Sequence, residues 1–383
     1  MKLLHIGKYY PPFHGGMETY LRDLVEAQVQ QGHEVTVLIH NHEWGLLRSK
    51  TSIEQPQTGL TLIRQASLRP ILFTPLMLGL NRRLKKLLLK TEFDLIHLHV
   101  PNPSLFALLF SRSAKRIPWV IRWHSDMVTE SSSWLLKALY RLLKPMETAL
   151  LKKADKILIS SQNYIEGSPV LQQFSDRLAV VPLGLQIADI EVAPVTTLIN
   201  DNHEFSLQLF TLGRLTYYKN HRLLIAAMQD LPTMQLTIAG SGDLAEALHK
   251  QIAQLQLAKR VQLTGAITEA EKNHYFAQCQ VFCLASNDRA ESYGMVLLEA
   301  MVRNKIILVA DTAGSGMQWL ANNYNKGFTF AANQESDLVA KLNYIHANYQ
   351  DIQNQQDEFE LTIEHTAAAI DRLYRNLKPR ESL

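Results

Sequence analysis

The sequence predicts an α/β protein built from two doubly wound, Rossmann-like domains that face each other across a cleft. Three observations lead there. The chain has 383 residues, enough for two or three domains at about 150 residues each. Short β-rich runs alternate with longer amphipathic patterns, as in parallel sheets covered by helices on both faces. That alternation is interrupted once, near the middle, and then restarts.

In the first half the expected strands are Lys2–Gly7, Glu34–Ile39, Leu60–Arg64, Asp94–His99, Trp119–Trp123, Lys156–Ser160 and Ala179–Pro182, with helical stretches such as Met17–Gln31 and Trp134–Lys153 between them. A polar, irregular run from Leu185 to Glu204 is the expected linker. Strands restart at Phe205–Leu212 and continue through Gln235–Ala239, Val261–Thr264, Val281–Leu284 and Lys305–Ala310. From about Ser336 a helical pattern runs to near the end, apart from the polar stretch Gln350–Asp357. The domains are then an N-terminal one over 1–185, a linker over 186–204 and a C-terminal one over 205–360. A last helix, about 360–383, is expected to pack back on the first domain.

Composition narrows the function classes. Apolar residues at 46% and charged residues at 20% are those of an ordinary globular chain and exclude a disordered or fibrous one. The two cysteines, Cys279 and Cys283, are too few for a disulfide scaffold and read as small buried apolar side chains. The longest apolar run of interest, Ile71–Leu80, is too short to span a bilayer, and the start of the chain has no secretory h-region. A cytoplasmic protein is the expectation. Net charge is only +3, too little to argue for nucleic acid. It is unevenly spread, however. Residues 1–190 hold 23 Lys and Arg against 15 Asp and Glu, and residues 191–383 hold 16 against 21, so the first half is at +8 and the second at −5. The basic half is expected to meet an anionic partner.

Ligands of doubly wound sheets bind beyond the carboxyl ends of the strands, so the loops there carry the chemistry. After the first strand, Gly15 and Gly16 precede a helix, where backbone N–H groups can approach a phosphate. A tight turn explains the pair equally well. The restart strand runs into Gly213-Arg214-Leu215-Thr216-Tyr217-Tyr218-Lys219. Arg214 and Lys219 supply a planar fork and a mobile point charge, the pair a diphosphate needs. Glu291-Ser292-Tyr293-Gly294-Met295-Val296-Leu297-Leu298-Glu299 is the most informative segment. If it is helical throughout, Glu291 and Glu299 share a face and can accept hydrogen bonds from two hydroxyl-bearing parts of one long ligand. The alternative is a capped amphipathic helix with solvated acids. Gly240-Ser241-Gly242-Asp243-Leu244-Ala245 fits a dinucleotide fingerprint, but the next strand does not end in the ribose-binding acid, so a strand-to-helix turn beside a ligand is expected in place of an NAD site. The pairs His40/His42 and His97/His99 could each face one way from a strand, yet no third metal ligand stands at a helpful spacing and structural histidines are expected. No Asp-x-Asp occurs, and neither metal nor cofactor is expected. His124, in Trp-His-Ser-Asp, ends a strand and is followed by polar residues.

The Gly-Gly-Met-Glu loop, Trp123-His124-Ser125-Asp126, Gly213-Arg214-x4-Lys219 and Glu291-x7-Glu299, in this order, resemble the retaining glycosyltransferases of family four, which have the two-domain GT-B fold. The resemblance spans Leu3 to about Phe330. It implies that Arg214 and Lys219 bind the donor diphosphate, that Glu291 contacts the donor sugar and Glu299 the nucleotide ribose, and that His124 reaches the sugar near the anomeric centre. Those implied catalytic residues are His124, Glu291, Arg214 and Lys219. Gly15, Gly16, Gly240, Gly242 and Ser292 to Val296 line the site. Arg303-Asn304-Lys305-Ile306 and Thr312-Ala313-Gly314-Ser315-Gly316 depart from the family pattern. The implied function is transfer of a hexose from a nucleoside-diphosphate sugar, GDP-mannose or a UDP-sugar, without metal, to a lipid-linked or oligosaccharide acceptor in bacterial surface-polysaccharide biosynthesis. Arg82, Arg83, Lys85 and Lys86 lie on a basic amphipathic helix that is expected to meet the acceptor and the anionic inner face of the membrane. A nucleotide-sugar epimerase or sugar-phosphate synthase of the same fold, and a non-catalytic sugar-binding protein, are the alternatives; a dehydrogenase is disfavoured by the missing ribose acid.

Overall fold

The structure is a computed structural model that describes residues 1–13, 15–43, 49–68, 75–127, 134–190, 207–356 and 360–377. The chain divides into two compact units, Met1–Gln186 with Leu361–Leu383, and Ile187–Glu360.

The first unit contains β1 (Lys2–Ile6), α1 (Gly16–Gln30), β2 (Glu34–His40), β3 (Ser52–Gln57), β4 (Leu60–Gln65), α2 (Leu80–Lys90), β5 (Leu95–Val100), β6 (Trp119–Trp123), α3 (Trp134–Lys153), β7 (Lys156–Ile159), α4 (Gln162–Glu166), α5 (Pro169–Gln172) and β8 (Leu178–Val180). Its sheet order is β3-β4-β2-β1-β5-β6-β7-β8. All pairings are parallel except β3 with β4. β5 is buried along its whole length, as strands of a parallel sheet covered on both faces are, and it buries His97 and His99 along with its apolar residues.

The second unit contains β9 (Leu207–Leu212), α6 (His221–Ala227), β10 (Met234–Ala239), α7 (Ala245–Gln254), β11 (Val261–Gly265), α8 (Glu269–Gln278), β12 (Val281–Leu284), α9 (Met295–Val302), β13 (Ile306–Asp311), α10 (Met317–Asn322), β14 (Gly327–Ala331), α11 (Glu335–Ala347) and α12 (Tyr349–Gln353). Its fully parallel sheet runs β11-β10-β9-β12-β13-β14. Numbered within the unit that is 3-2-1-4-5-6, the dinucleotide-fold order, with its switch point between β9 and β12. The equivalent reversal in the first unit lies between β1 and β5. Each unit has its own apolar core, one centred on Leu4, Ile96, Leu98, Ile121 and Ile157, the other on Leu209, Leu236, Ile238, Cys283 and Leu308.

After α12 the chain returns to the first unit as α13 (Ile363–Arg375). Ile363, Ala367, Ile370 and Tyr374 of α13 are buried, and α13 packs on α1. Leu185 and the 361–363 segment exchange backbone hydrogen bonds of 3.0 Å at both ends. Gly184 has to be glycine, since a Cβ there would lie 2.1 Å from the Thr362 carbonyl oxygen.

Two strands escape the sequence reading. β3 is polar, exposed from Glu54 onward and carries Pro56. Pairing on one side only tolerates a chain that shows no alternation and reads as a loop. β14 is a half-buried edge strand of five residues. The stretch expected to be irregular from Gln350 begins inside α12, whose Ile352 is buried. Most of the expected linker, His14, the start of the Ile71–Leu80 run and the last residues, 378–383, lie outside the described residues. Both cysteines are buried and free.

Candidate active site

In the second unit the two loops at the switch point come together. β9 ends at Leu212, and Lys219, seven residues further on, folds back so that its Cε stands 3.0 Å from where a Cβ on Gly213 would be. Lys219 is buried, and its Nζ forms an ion pair with Glu291, which comes from the loop after β12. Ser286 Oγ donates to the same carboxylate at 3.5 Å. Arg214 is exposed. Behind the clamp, burial and the Lys219 ammonium push His221 down to about 4, so it stays neutral beside the cation.

The loop bearing Glu291 is stitched in place. Ser315 Oγ donates to the Glu291 carbonyl at 2.6 Å, Thr312 Oγ1 to the Ser286 carbonyl at 2.7 Å, and the Gly316 amide to the Ser292 carbonyl at 2.8 Å. The Asn287 amide donates to the Tyr218 carbonyl at 2.9 Å, so the two loops also hold each other. Residues 312–316, where the sequence departs from the family pattern, are thus the backing of the Glu291 loop.

The glycines after β10 prove to be a packing device. The Gly213 amide donates to the Ala239 carbonyl at 3.0 Å and the Leu215 amide to the Ser241 carbonyl at 2.9 Å. A Cβ on Gly240 would lie 1.9 Å from the Gly213 oxygen, and one on Gly242 2.5 Å from the Leu215 oxygen. Only glycine lets the 213–215 and 240–242 backbones approach so closely.

The expectation that Glu291 and Glu299 share one helical face is wrong. α9 starts at Met295, and its N-cap, Gly294, has φ 81°, a left-handed conformation that breaks the helix between the two acids. Glu291 therefore points to Lys219, while Glu299 meets Lys272 Nζ at 2.7 Å and Arg303 at 3.7 Å. Arg303, at another departure from the family pattern, also donates to Asn273 Oδ1 and stacks over the Phe276 ring, 4.6 Å from its centroid. Lys272 and Arg303 were not anticipated. Lys272 sits on α8, and nothing local in the sequence links it to Glu299. Tyr293 is buried and stacks on Trp319, whereas Met295 and Val296 open the first turn of α9, where amide groups have no intrahelical acceptor.

In the first unit Gly15 caps α1 with an extended backbone, and a Cβ on it would stand 2.3 Å from Glu18 Oε2. The turn beside Gly15 and Gly16 thus holds a buried carboxylate of its own chain. His124, one residue past β6, lines a recess with Lys8, Tyr9, Met17, Glu18, Leu21, His99 and Pro101; it encloses about 230 Å³ of space, part of it open solvent. The expectation that His97 and His99 lack a third neighbour is also wrong, because pairing of β1 with β5 sets His5 opposite His97. Nitrogens of His5, His97 and His99 lie within 4.8 Å of one another. Long-range strand pairing, invisible in sequence spacing, makes this group.

On α2, Arg82, Lys85 and Lys86 are exposed, but Arg83 is half buried and donates to Gln65 Oε1 at 2.8 Å.

Residues 14–188 match the family model Glycosyltransferase Family 4, and residues 199–359 the model Glycosyl transferases group 1. The chain belongs to the family four glycosyltransferases. It is an enzyme of the GT-B fold. Over its whole length, and that of the relative, it is 27% identical to the O-antigen chain mannosyltransferase C of Escherichia coli. It is 26% identical to the D-rhamnosyltransferase WbpZ of Pseudomonas aeruginosa over 84% of this chain and 80% of that one. Among solved structures, sucrose-phosphate synthase from Thermosynechococcus elongatus superposes with a TM-score of 0.72 at 18% identity, covering 98% of both chains. HepE from Anabaena in complex with UDP gives 0.67 at 19% identity, covering 98% of this chain and 95% of that one.

Proposed function

We propose that this glycosyltransferase moves a hexose, with retention of configuration and without a metal ion, from a nucleoside-diphosphate sugar to a lipid-linked or oligosaccharide acceptor in bacterial surface-polysaccharide synthesis. GDP-mannose is the first donor to test. The observation that carries this reading is the Lys219–Glu291 ion pair, formed by loops from the two strands at the switch point, with Arg214 exposed beside it. Without a ligand the carboxylate and ammonium neutralise each other where either alone would be costly to bury. With the donor in place, Lys219 and Arg214 hold the diphosphate, and Glu291 accepts from a sugar hydroxyl. As the glycosidic bond breaks, negative charge grows on the leaving diphosphate. Two fixed cations and the free amides opening α9 stabilise it without reorganising. No second carboxylate is placed as a nucleophile in this reading, so the acceptor attacks from the face of the leaving group, whose phosphate takes up its proton. Glu299, held by Lys272 and Arg303, receives the ribose hydroxyls.

The donor preference rests on the curated relatives, one of which is a mannosyltransferase of O-antigen chains. Docking to the inner face of the membrane rests on α2 and its surroundings. Arg82, Lys85, Lys86 and Lys90 are exposed there, and Leu89 is 77% exposed. Residues 103–110 pack against both α2 and α3, and Phe110 and Trp134 are as open as Leu89. Basic and apolar side chains together suit an anionic bilayer surface. No helix among the described residues is long and apolar enough to cross a membrane.

The deciding experiment incubates the enzyme with GDP-mannose or UDP-sugars and a lipid-linked oligosaccharide, in the presence of EDTA, and follows product mass. Transfer in EDTA supports the reading. An isomerised nucleotide sugar from donor alone would make the chain an epimerase, and activity that needs added magnesium or manganese would overturn the metal-free mechanism.

A further inference from the structure

Four histidines meet in the interior of the first unit. β1 and β5 place His5 beside His97, the two-residue period of a strand puts His97 and His99 on one side of β5, and β6 delivers His124 next to them. His5 Nδ1 lies 3.1 Å from His99 Nε2, and His99 Nδ1 lies 3.0 Å from His124 Nε2. The rings of His99 and His124 stack at 5.3 Å. Both nitrogens of His99 are thus spent on hydrogen bonds, which makes the trio of His5, His97 and His99 a poor ligand set for a cation. The group is a hydrogen-bonded chain, His5 to His99 to His124, that begins in the core and ends in the recess beside Lys8 and Pro101.

Burial keeps these rings neutral: His5 and His124 are pushed down to about 3, and His97 and His99 lie well below the ordinary value. The nearby Arg122 guanidinium acts in the same direction on His97, His99 and His124. A neutral imidazole has one N–H and one lone pair, so every link in the chain has to point the same way, and the inner end decides the outer one. At the inner end stands Gln28. Its amide nitrogen donates to Tyr374 Oη at 3.3 Å. Gln28 Oε1 and His5 Nε2 are buried, and neither has a hydrogen-bond partner. The nitrogen of His5 that carries the proton therefore sets, through His99, the nitrogen of His124 that does.

We infer that His5 and His99 are positioning residues that hold His124 in a single tautomer, so that it meets a sugar hydroxyl in the recess with one fixed hydrogen-bonding role. Which nitrogen of a histidine is protonated is set by the bond its other nitrogen makes; here two further imidazoles transmit that choice. The role of the hydroxyl rests on the glycosyl-transfer reading above, whereas the tautomer does not.

The test is nitrogen NMR of the full chain labelled with 15N-histidine, with the His124 signals assigned by their loss in His124→Gln. The expected wild-type spectrum has one pyridine-like and one pyrrole-like nitrogen at His124, a single tautomer. His99→Phe keeps a ring but removes both nitrogens. It should leave His124 as a mixture of tautomers and lower kcat/KM roughly tenfold, the lower end of what a histidine's orienting partner contributes at metal sites, with nucleoside-diphosphate binding unchanged. His99→Gln, whose carbonyl can accept from His124 and whose amide can donate to His5, should restore the single tautomer and most of the rate. A mixture of His124 tautomers in the wild type, or an unchanged His124 tautomer in His99→Phe, overturns the inference. If the tautomer behaves as stated and no donor sugar is transferred, the inference stands and the proposed function falls.

Discussion

The two units solve the same topological problem with opposite electrostatics. Each has its switch point between a first strand and the strand that starts its second half, and each places polar side chains there. In the first unit those side chains are chiefly uncharged imidazoles, His5, His97, His99 and His124, beside the buried guanidinium of Arg122, with His40 bonded to Ser67 Oγ at 3.0 Å and Asn102 Oδ1 at 3.2 Å. In the second they are opposed charges: Lys219 with Glu291, and Lys272 and Arg303 with Glu299. The lesson is that one sheet architecture accepts either a neutral hydrogen-bonded interior or compensated ions, and that the choice decides what each unit can bind. The ionic site suits a substrate that brings two negative charges and several hydroxyls. The neutral chain suits a single directed hydrogen bond.

Breaking the ionic side should have the largest effect. Lys219→Ala or Arg214→Ala should lower turnover by roughly 100-fold or more, as loss of one donor to a developing negative charge does, with the circular dichroism spectrum unchanged. Near wild-type turnover in either variant would leave the second unit without its assigned clamp.

Acid should separate the units next. A buried histidine whose folded pKa is depressed contributes fully only above its unfolded pKa, and that stability is lost as pH falls toward the folded value. Its unfolded form takes up a proton near pH 6.5 and its folded form does not until about 3 for His5 and His124, or about 4 for His40. Between those limits each costs about 1.4 kcal/mol of stability per pH unit as pH falls. His97 and His99 act in the same direction. Glu147 opposes them. Burial raises it to about 7 against the ordinary 4.5, so it favours the fold as pH falls through that range, one group against several. Among the described residues of the second unit only His221 is comparable. Lowering the pH from 7 to 4.5 should therefore expose Trp119 and Trp123 before Trp319, as followed by fluorescence in single-tryptophan variants. Simultaneous exposure, or Trp319 first, would break the comparison.

Within the ionic side the two acids should differ. Glu291→Ala should mainly lower kcat, because it faces the part of the donor where charge changes, whereas Glu299→Ala should mainly raise KM. Lys272→Ala, which removes a partner of Glu299 at 2.7 Å, should resemble Glu299→Ala in kind and be milder. Equal kcat losses in both Glu variants would erase the division.

The smallest effect concerns the surface of the first unit. Replacing Arg82, Lys85 and Lys86 with Ser should weaken binding to anionic liposomes by about 1 kcal/mol per charge, and binding by the wild type should fade with salt. Co-sedimentation reads both. Arg83, tied to Gln65, should contribute less than the other three. Binding that ignores salt would separate this surface from its assigned role.

The sequence by itself determined the two-unit α/β architecture and most strand positions, and it singled out Arg214, Lys219, Glu291 and Glu299 as candidate site residues. These follow from local pattern: apolar runs bounded by turn residues mark buried parallel strands, and charged residues just past a strand end mark ligand loops. Edge strands β3 and β14 were not legible, since a strand paired or buried on one side needs no strong pattern. Tertiary structure alone decided who partners whom. A glycine at φ 81° ends the expected helical link between Glu291 and Glu299, and each acid then finds a cation from a distant segment, Lys219 or Lys272. Gly240 and Gly242 fit a nucleotide fingerprint in sequence and serve loop-to-loop packing in space. The imidazole chain needs β1, β5 and β6 side by side, and its two contacts join residues 94 and 25 apart in the chain. Spacing along the chain carries no trace of it, because hydrogen bonds between side chains depend on strand register, and register is fixed only when the sheet forms.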